Sequence, residues 1–489
     1  MADSILTRAR PLLAARLVGA AVTLAVPMVL ARVLLPASYG TFKQAWLVSQ
    51  TLVLVLPMGL TQSLYYFVPR EPAERDRFVA QTLLAHVLLG ALAAALLVGG
   101  APLLAAHFDN PQLAANAGWV AAFTGFGIAG APLDIAWNAQ GRVGAAALAR
   151  LATEAGRSVA LVAGALLVGA VEGAFAGMAV AAAARAVVTF AALARAHGLS
   201  VRSAALRRQL AYALPFGLAF VVIVPQQQFH HYAVGAAVGA AAFAVYSVGT
   251  FQLPVVDVLY TPISELLQIG LAESDGAGRP PAAGLPLFHE AVLQLSFAFL
   301  PFAGLLLVAA PALIELLFSP VYLEAVPIFR VTALSVALAA LPLDGVMRAR
   351  AQNRFMLVLS AGKLIATVPL VLGGLAVFGP IGALAGWIGV EALARGVLLR
   401  RAATLFQVPV RRVLPLRALA RQVTATLFAM PPAALALSLA SSRLLGLAAC
   451  GVAFAAAYLG LSLSCGWLPA GWSGLFRARR APAPAPSEP

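Results

Sequence analysis

The chain has 489 residues, of which 62% are hydrophobic and only 10% charged, with a mean hydropathy of +0.91. That leaves too little polar surface to clothe a soluble globule of this size, so the composition excludes one and defines an integral membrane protein. The formal net charge of +15 would suit a nucleic-acid partner, but the arginines are spread over many short segments between apolar runs. That distribution suits an anionic membrane leaflet and excludes nucleic acid.

In chain order, Arg8, Arg10 and Arg16 precede an apolar run over 17–35. Its basic start and Val29-Leu30-Ala31 resemble a signal sequence, and the many later spans favour an uncleaved first helix. Runs of about 20 apolar residues, enough to cross about 30 Å of hydrocarbon, follow near 44–68, 79–105, 113–137, 145–169 and 173–194. A second group lies near 211–233, 241–267, 288–317, 326–347, 355–378 and 381–403, and two further spans near 422–440 and 444–466. The fold class expected is an all-α polytopic membrane protein of about fourteen transmembrane helices. It divides into an N-terminal six-helix bundle (1–195), a cytoplasmic linker (196–210), a C-terminal six-helix bundle (211–403), two extra helices (404–466) and a cytoplasmic, disordered tail rich in Ala and Pro (467–489).

With the N-terminus in the cytoplasm, the inner segments hold most of the arginines, among them Arg70, Arg75, Arg77, Arg142, Arg195, Arg279, Arg348, Arg354, Arg400, Arg401 and Arg477. Arg32, Lys43 and Arg443 are the main exceptions. This asymmetry follows the positive-inside rule and predicts both termini in the cytoplasm. Cys450 and Cys465 share one apolar run, roughly 22 Å apart on a helix, so they form no disulfide with each other there.

One motif is heard twice. Ala131-Pro132-Leu133-Asp134, followed by Ala139-Gln140-Gly141-Arg142, returns as Leu341-Pro342-Leu343-Asp344, followed by Ala351-Gln352-Asn353-Arg354. The aspartates are 344 − 134 = 210 positions apart. A duplicated bundle accounts for this. An even number of spans per copy makes the copies parallel, related by an axis along the membrane normal, with a central cavity and a site where they meet.

Local matches point to a family. Ala31-Arg32, Pro36 and Tyr39-Gly40, then Met58-Gly59-Leu60 with Tyr66, resemble the opening of bacterial polysaccharide flippases, as does the stretch from Leu317 to Ile328 before the tenth helix. Leu214-Pro215-Phe216-Gly217, with Val245-Tyr246-Ser247, resembles the start of that family's second half. The family belongs to the multidrug, oligosaccharidyl-lipid and polysaccharide exporter superfamily. The resemblance implies a flippase of the bacterial inner membrane that moves a polyprenyl-diphosphate-linked oligosaccharide to the outer leaflet by alternating access. It implies no catalysis and no cofactor, and other polysaccharide-assembly proteins as partners. The sequence departs from the family where relatives carry an Asp-Arg pair near the outer end of the seventh helix. Here it reads Gln226-Gln227-Gln228-Phe229-His230-His231. These residues either bind sugar hydroxyls and protons or cap a helix at the wet interface.

A diphosphate cannot cross hydrocarbon unaided, and arginine forks bind phosphate bidentately. Arg150, Glu154 and Arg157 stand at i, i+4 and i+7, hence on one helical face. Lys363 lies 363 − 352 = 11 residues beyond Gln352 and Arg150 lies 150 − 140 = 10 beyond Gln140, in nearly equivalent places. Arg150, Arg157 and Lys363 therefore either bind the diphosphate from the cytoplasmic side or snorkel to the inner surface. Arg32 and Lys43 either receive the head group outside or anchor the interface. Asp257 is the candidate carboxylate for a coupling proton or sodium ion. Asp134 and Asp344 are expected to pair with Arg142, Arg348 or Arg354 and close an inner gate. Gly125-Phe126-Gly127-Ile128-Ala129-Gly130 fits a dinucleotide fingerprint by letter but lies inside a span, so it reads as helix packing. Gly169, Gly173 and Gly177, Gly235 with Gly239, and Gly382 with Gly386 are expected to mark close helix contacts. No metal-ligand pattern is present. A precursor flippase for peptidoglycan, a multidrug antiporter and a membrane glycan polymerase or ligase are the rival readings.

Overall fold

The computed structural model describes residues 25–253 and 255–469, with the side chains of residues 216, 255 and 257 excepted. Arg8, Arg10 and Arg16, residues 17–24 of the expected first span and the Ala- and Pro-rich tail lie outside the described residues, and residues 25–33 form a helix. The principal helices that follow are α1 (Pro36–Val55), α2 (Leu60–Arg70), α3 (Arg75–Gly99), α4 (Ala117–Ala129), α5 (Pro132–Ala139), α6 (Val143–Val168), α7 (Val171–His197) and α8 (Ser203–Ala237). Then come α9 (Ala240–Gly249), α10 (Val255–Gly276), α11 (Leu285–Leu317), α12 (Val326–Leu338), α13 (Leu343–Ala349), α14 (Asn353–Phe406), α15 (Leu416–Leu439) and α16 (Arg443–Ser464).

Among the described residues, 11 helices are long and apolar enough to cross a membrane. One of them, α14, counts twice. Its 54 residues contain Gly379 at φ 63°, and a Cβ on Gly382 would lie 2.0 Å from the Gly374 carbonyl oxygen. Eight residues of straight helix would hold those two about 12 Å apart, so the chain doubles back and makes two spans. The outer faces are leucine and valine, exposed at Leu92, Leu167, Val187 and Leu372, as a lipid-facing surface requires. The chain is a multi-pass, all-helical membrane protein.

Two compact units form. The first comprises residues 1–248 and 360–383, the second 249–359 and 384–489. The first centres on Leu64, Phe67, Phe78, Leu83, Leu133 and Leu193, contributed by α2, α3, α5 and α7. The second has one core around Leu271, Phe288, Leu343, Met347 and Phe406. A further core, with Phe297, Phe454 and Tyr458, ties α15 and α16 to α11. Compactness thus cuts the chain differently from the sequence repeat: α8 and the 360–383 part of α14, read from sequence as second-bundle spans, group with the first unit.

The backbone repeats at a constant offset. The Phe108 N–H donates to Leu104 and the Phe318 N–H to Ile314, with 318 − 108 = 210. The spans break before both Leu-Asp pairs, between α4 and α5 and between α12 and α13. The turns beyond them carry positive φ at Gly141 (80°) and Ala351 (52°), with 351 − 141 = 210. The N–H of Arg142 reaches the Trp137 carbonyl and that of Gln352 reaches the Met347 carbonyl, both at 2.9 Å. Gly169 (68°) and Gly379 (63°) end the next spans, with 379 − 169 = 210. This corrects the register of the echo. Gln140-Gly141-Arg142 matches Gln352-Asn353-Arg354 by letter at an offset of 212, whereas the backbone sets Arg142 opposite Gln352. Arg150 then stands opposite Ser360 and Lys363 opposite Thr153. The two basic residues are three positions apart in the repeat frame, about one turn along the same face.

Candidate functional site

The first unit holds a half-buried cluster of charge on its apolar spans. α6 presents Glu154 and Arg157 together, and the guanidinium Nη2 donates to Glu154 Oε2 at 2.5 Å. The other face of that guanidinium lies over the Trp46 ring of α1, 5.3 Å from its centroid. Trp46 is held in turn by stacking on Phe42 and Phe123, with centroids at 6.0 and 6.2 Å. On α7, Arg185 donates to Asp134 Oδ1 at 3.1 Å and stands within electrostatic reach of Glu154 and Arg157. The cluster is two arginines and two carboxylates. Each cation is satisfied by an acid, which is how a charge is tolerated away from water, and an incoming anion must compete with those acids for the same forks.

The expected residues distribute as follows. Arg150 is exposed, one turn from Glu154, and takes no part in the Arg157–Glu154 pair. Asp134 does not pair with Arg142, which instead lies over Trp137 at 4.8 Å. Arg185 reaches Asp134 first because α7 packs beside the broken span, with Gly130 against the Arg185 stem. Asp344 does pair with Arg348 and also accepts from the Tyr260 hydroxyl. Asp257 lies on α10 and its side chain is outside those described.

Gln226 is buried, and its amide donates to Thr367 Oγ1 at 3.2 Å, while that hydroxyl donates to the Lys363 carbonyl at 2.7 Å. Gln226 and half-buried Lys363 therefore belong to one neighbourhood of the first unit. Gln227 is exposed. His230 Nδ1 meets the Tyr246 hydroxyl at 2.6 Å, buried. Because α8 runs on to Ala237, these residues sit within a helix and cap nothing, which removes the capping account. Arg32 is exposed, and Lys43 lies over the Tyr39 ring at 5.5 Å.

Of the glycines expected at close contacts, Gly173 and Gly177 press on Gly164 and Ala160, Gly235 on the Phe108 ring and Gly382 on Gly374. Gly169 and Gly239 face open space; the former makes a turn. Near the α2–α3 turn, Arg70, Glu71, Glu74, Arg202 and Arg208 line an open cavity of about 620 Å³. Arg208 there bridges Glu71 at 2.9 Å and Glu74 at 2.7 Å.

Sequence reading missed Trp46, Tyr260, Arg185 and Arg395. A signal for the last two was present: both are arginines in apolar spans, and 395 − 185 = 210.

Broken apolar spans repeated at one offset, with paired charges embedded among them, define a multi-pass membrane protein built on an internal duplication. The chain belongs to the polysaccharide biosynthesis protein family, which it matches over residues 29–327. Among solved structures it is similar to the lipid II flippase MurJ in an inward closed conformation, with a TM-score of 0.73 and 13% identity over 95% of this chain and 98% of that one. It is also similar to an inward-facing multidrug resistance MATE family transporter of the MOP superfamily, with a TM-score of 0.64 and 15% identity over 79% and 95% of the two chains. A third is a MOP superfamily transporter from Pyrococcus furiosus described as having reversed polarity in its binding pocket. Its TM-score is 0.52, with 15% identity over 80% and 93%. No curated protein matches.

Proposed function

We propose that the protein is a flippase carrying a polyprenyl-diphosphate-linked oligosaccharide from the cytoplasmic to the outer leaflet of the bacterial inner membrane, for polysaccharide biosynthesis. Family membership supports the glycan, and the observation that carries the anionic head group is the pair of arginines, Arg157 and Arg185, neutralised on the apolar spans by Glu154 and Asp134. In this reading the two carboxylates occupy, in the empty protein, the positions of diphosphate oxygens. A diphosphate displaces them from the guanidinium forks and restores the hydrogen bonds it loses with water. Trp46 keeps Arg157 flat and oriented. Arg150 and Lys363 guide the head group along the same face, Gln226 and Gln227 meet sugar hydroxyls, and Arg32 stands at the exit. Both termini are cytoplasmic, and Asp257 carries any coupling proton or sodium ion.

The test is leaflet exposure of a fluorescent polyprenyl-diphosphate oligosaccharide in proteoliposomes, with and without an imposed proton or sodium gradient. Protein-dependent exposure supports the reading. Exposure of a peptidoglycan precursor instead, or growth of the glycan with no translocation, overturns it.

A further inference from the structure

The duplication makes each copy a control for the other. A span broken before a Leu-Asp pair leaves carbonyls without their intrahelical donors. In the first copy α7 repairs the break: Thr189 Oγ1 donates to the Gly130 carbonyl at 3.2 Å, and Arg185 holds Asp134 at 3.1 Å. The second copy has the same pair in the same frame, Asp344 and Arg395, since 185 − 134 = 51 and 395 − 344 = 51.

Its contacts differ. Asp344 is taken by the Tyr260 hydroxyl and by Arg348. Arg395 reaches only the Leu341 carbonyl, at 3.5 Å, and its Nε is buried without a hydrogen-bond partner among the described residues. In the first copy Asn138 stands opposite Arg348 (348 − 138 = 210), so no cation there competes for Asp134, whose bonds among the described residues all run to Arg185. One copy therefore has its aspartate and arginine joined, and the other has them apart with the arginine left short of an acceptor. An orphaned guanidinium N–H is costly; the acceptor that its counterpart uses, Asp134 on α5, corresponds in this copy to Asp344 on α13.

We propose that Asp344 and Arg395 form a switching brace. The Asp344 carboxylate exchanges between two sets of donors, Tyr260 with Arg348 in one state and Arg395 in the other, so that α13 is alternately released from and fastened to the second limb of α14. Asp134 with Arg185 is the counterpart that stays joined in the empty protein. Until cargo arrives, the first copy's broken span is thereby fastened while the second copy's is free to move. Asp344, Arg395, Tyr260 and Arg348 are positioning residues, and the brace rests on the flippase reading only where a transport rate is measured.

Double-mutant cycles on the thermal unfolding of the purified full-length protein test this without any cargo. Asp134→Asn and Arg185→Gln are each expected to lower the Tm by several degrees, and the double variant by no more than the worse single. Asp344→Asn and Arg395→Gln are expected to be additive in the otherwise unaltered chain and to become non-additive once Tyr260→Phe with Arg348→Gln frees the carboxylate. Additivity in that freed background overturns the proposal, as does coupling already present without it. In proteoliposomes, Tyr260→Phe with Arg348→Gln should slow flipping several-fold by trapping the fastened state, and adding Arg395→Gln should restore at least half of the rate; no restoration overturns the brace. Failure of the unaltered protein to flip the probe counts against the flippase reading and leaves the thermal cycles standing.

Discussion

Arg157 is held between a carboxylate and an indole face, and those two partners respond differently to substitution. Arg157→Gln leaves Glu154 without its 2.5 Å donor and removes the fork that the proposed function assigns to phosphate. Flipping is expected to fall tenfold or more, a change of about 1.4 kcal/mol in the barrier per factor of ten. Arg157→Lys keeps the charge but loses the planar stack on Trp46, so it should rescue stability while leaving most of the rate lost. Comparing Tm with flipping rate for the two variants checks this. A second residue, Gln209, gathers a buried polar network: its amide donates to Ser63 at 2.7 Å and Thr82 at 2.8 Å, and its carbonyl oxygen accepts from Gln81 at 2.6 Å. Gln209→Leu orphans several groups at once, each costing about 1–3 kcal/mol when buried. The expected outcome is a loss of folded protein in detergent, seen as early aggregation on heating, with no dependence on cargo.

At the scale of elements, the turn after each broken span makes a sharper prediction. Gly141 and Ala351 occupy one backbone geometry, but only the first is a residue that tolerates positive φ without strain. An L-residue there costs roughly 1–2 kcal/mol, against about 0.5–1 kcal/mol for the extra entropy of an unfolded glycine. Ala351→Gly is therefore expected to raise the Tm slightly and Gly141→Ala to lower it, measured side by side. The hairpins α6–α7 and the two limbs of α14 close on bare backbone: a Cβ on Gly164 would lie 2.0 Å from the Gly173 carbonyl oxygen, and one on Gly374 would lie 2.2 Å from that of Gly382. Leucine at either position should separate the spans and abolish expression of folded protein, whereas leucine at Gly373, which faces open space, should be tolerated.

For the whole molecule, the two native cysteines report orientation. Cys465 is exposed at the end of α16, and Cys450 is buried within it. With the C-terminus in the cytoplasm, a membrane-impermeant maleimide is expected to label the unaltered protein in inside-out vesicles and not in intact spheroplasts, and Cys465→Ser should abolish the signal. Labelling from outside would reverse the topology and, with it, the assignment of Arg150 and Arg32 to entry and exit.

Membrane character, the positions of most spans and the 210-residue period were legible in the sequence. They are sums over local residue properties, and hydropathy and repetition survive without knowledge of contacts. The Pro-Leu-Asp echo falls on both breaks, which the hydropathy of 113–137 and 326–347 runs across without a sign; proline interrupts the ladder wherever it falls inside a helix. Other matters belong to the tertiary structure. Arg185 meets Asp134 across a separation of 51 positions, a distance no helical period spans, and it wins over Arg142 only because α7 packs beside the break. The echo's own letters misled by two residues at Gln352, because a turn's register is set by its backbone hydrogen bonds, which the side-chain letters do not encode. That Asp344 has different partners from Asp134 follows from Tyr260 and Arg348, which lie on separate helices and converge only when the second unit folds.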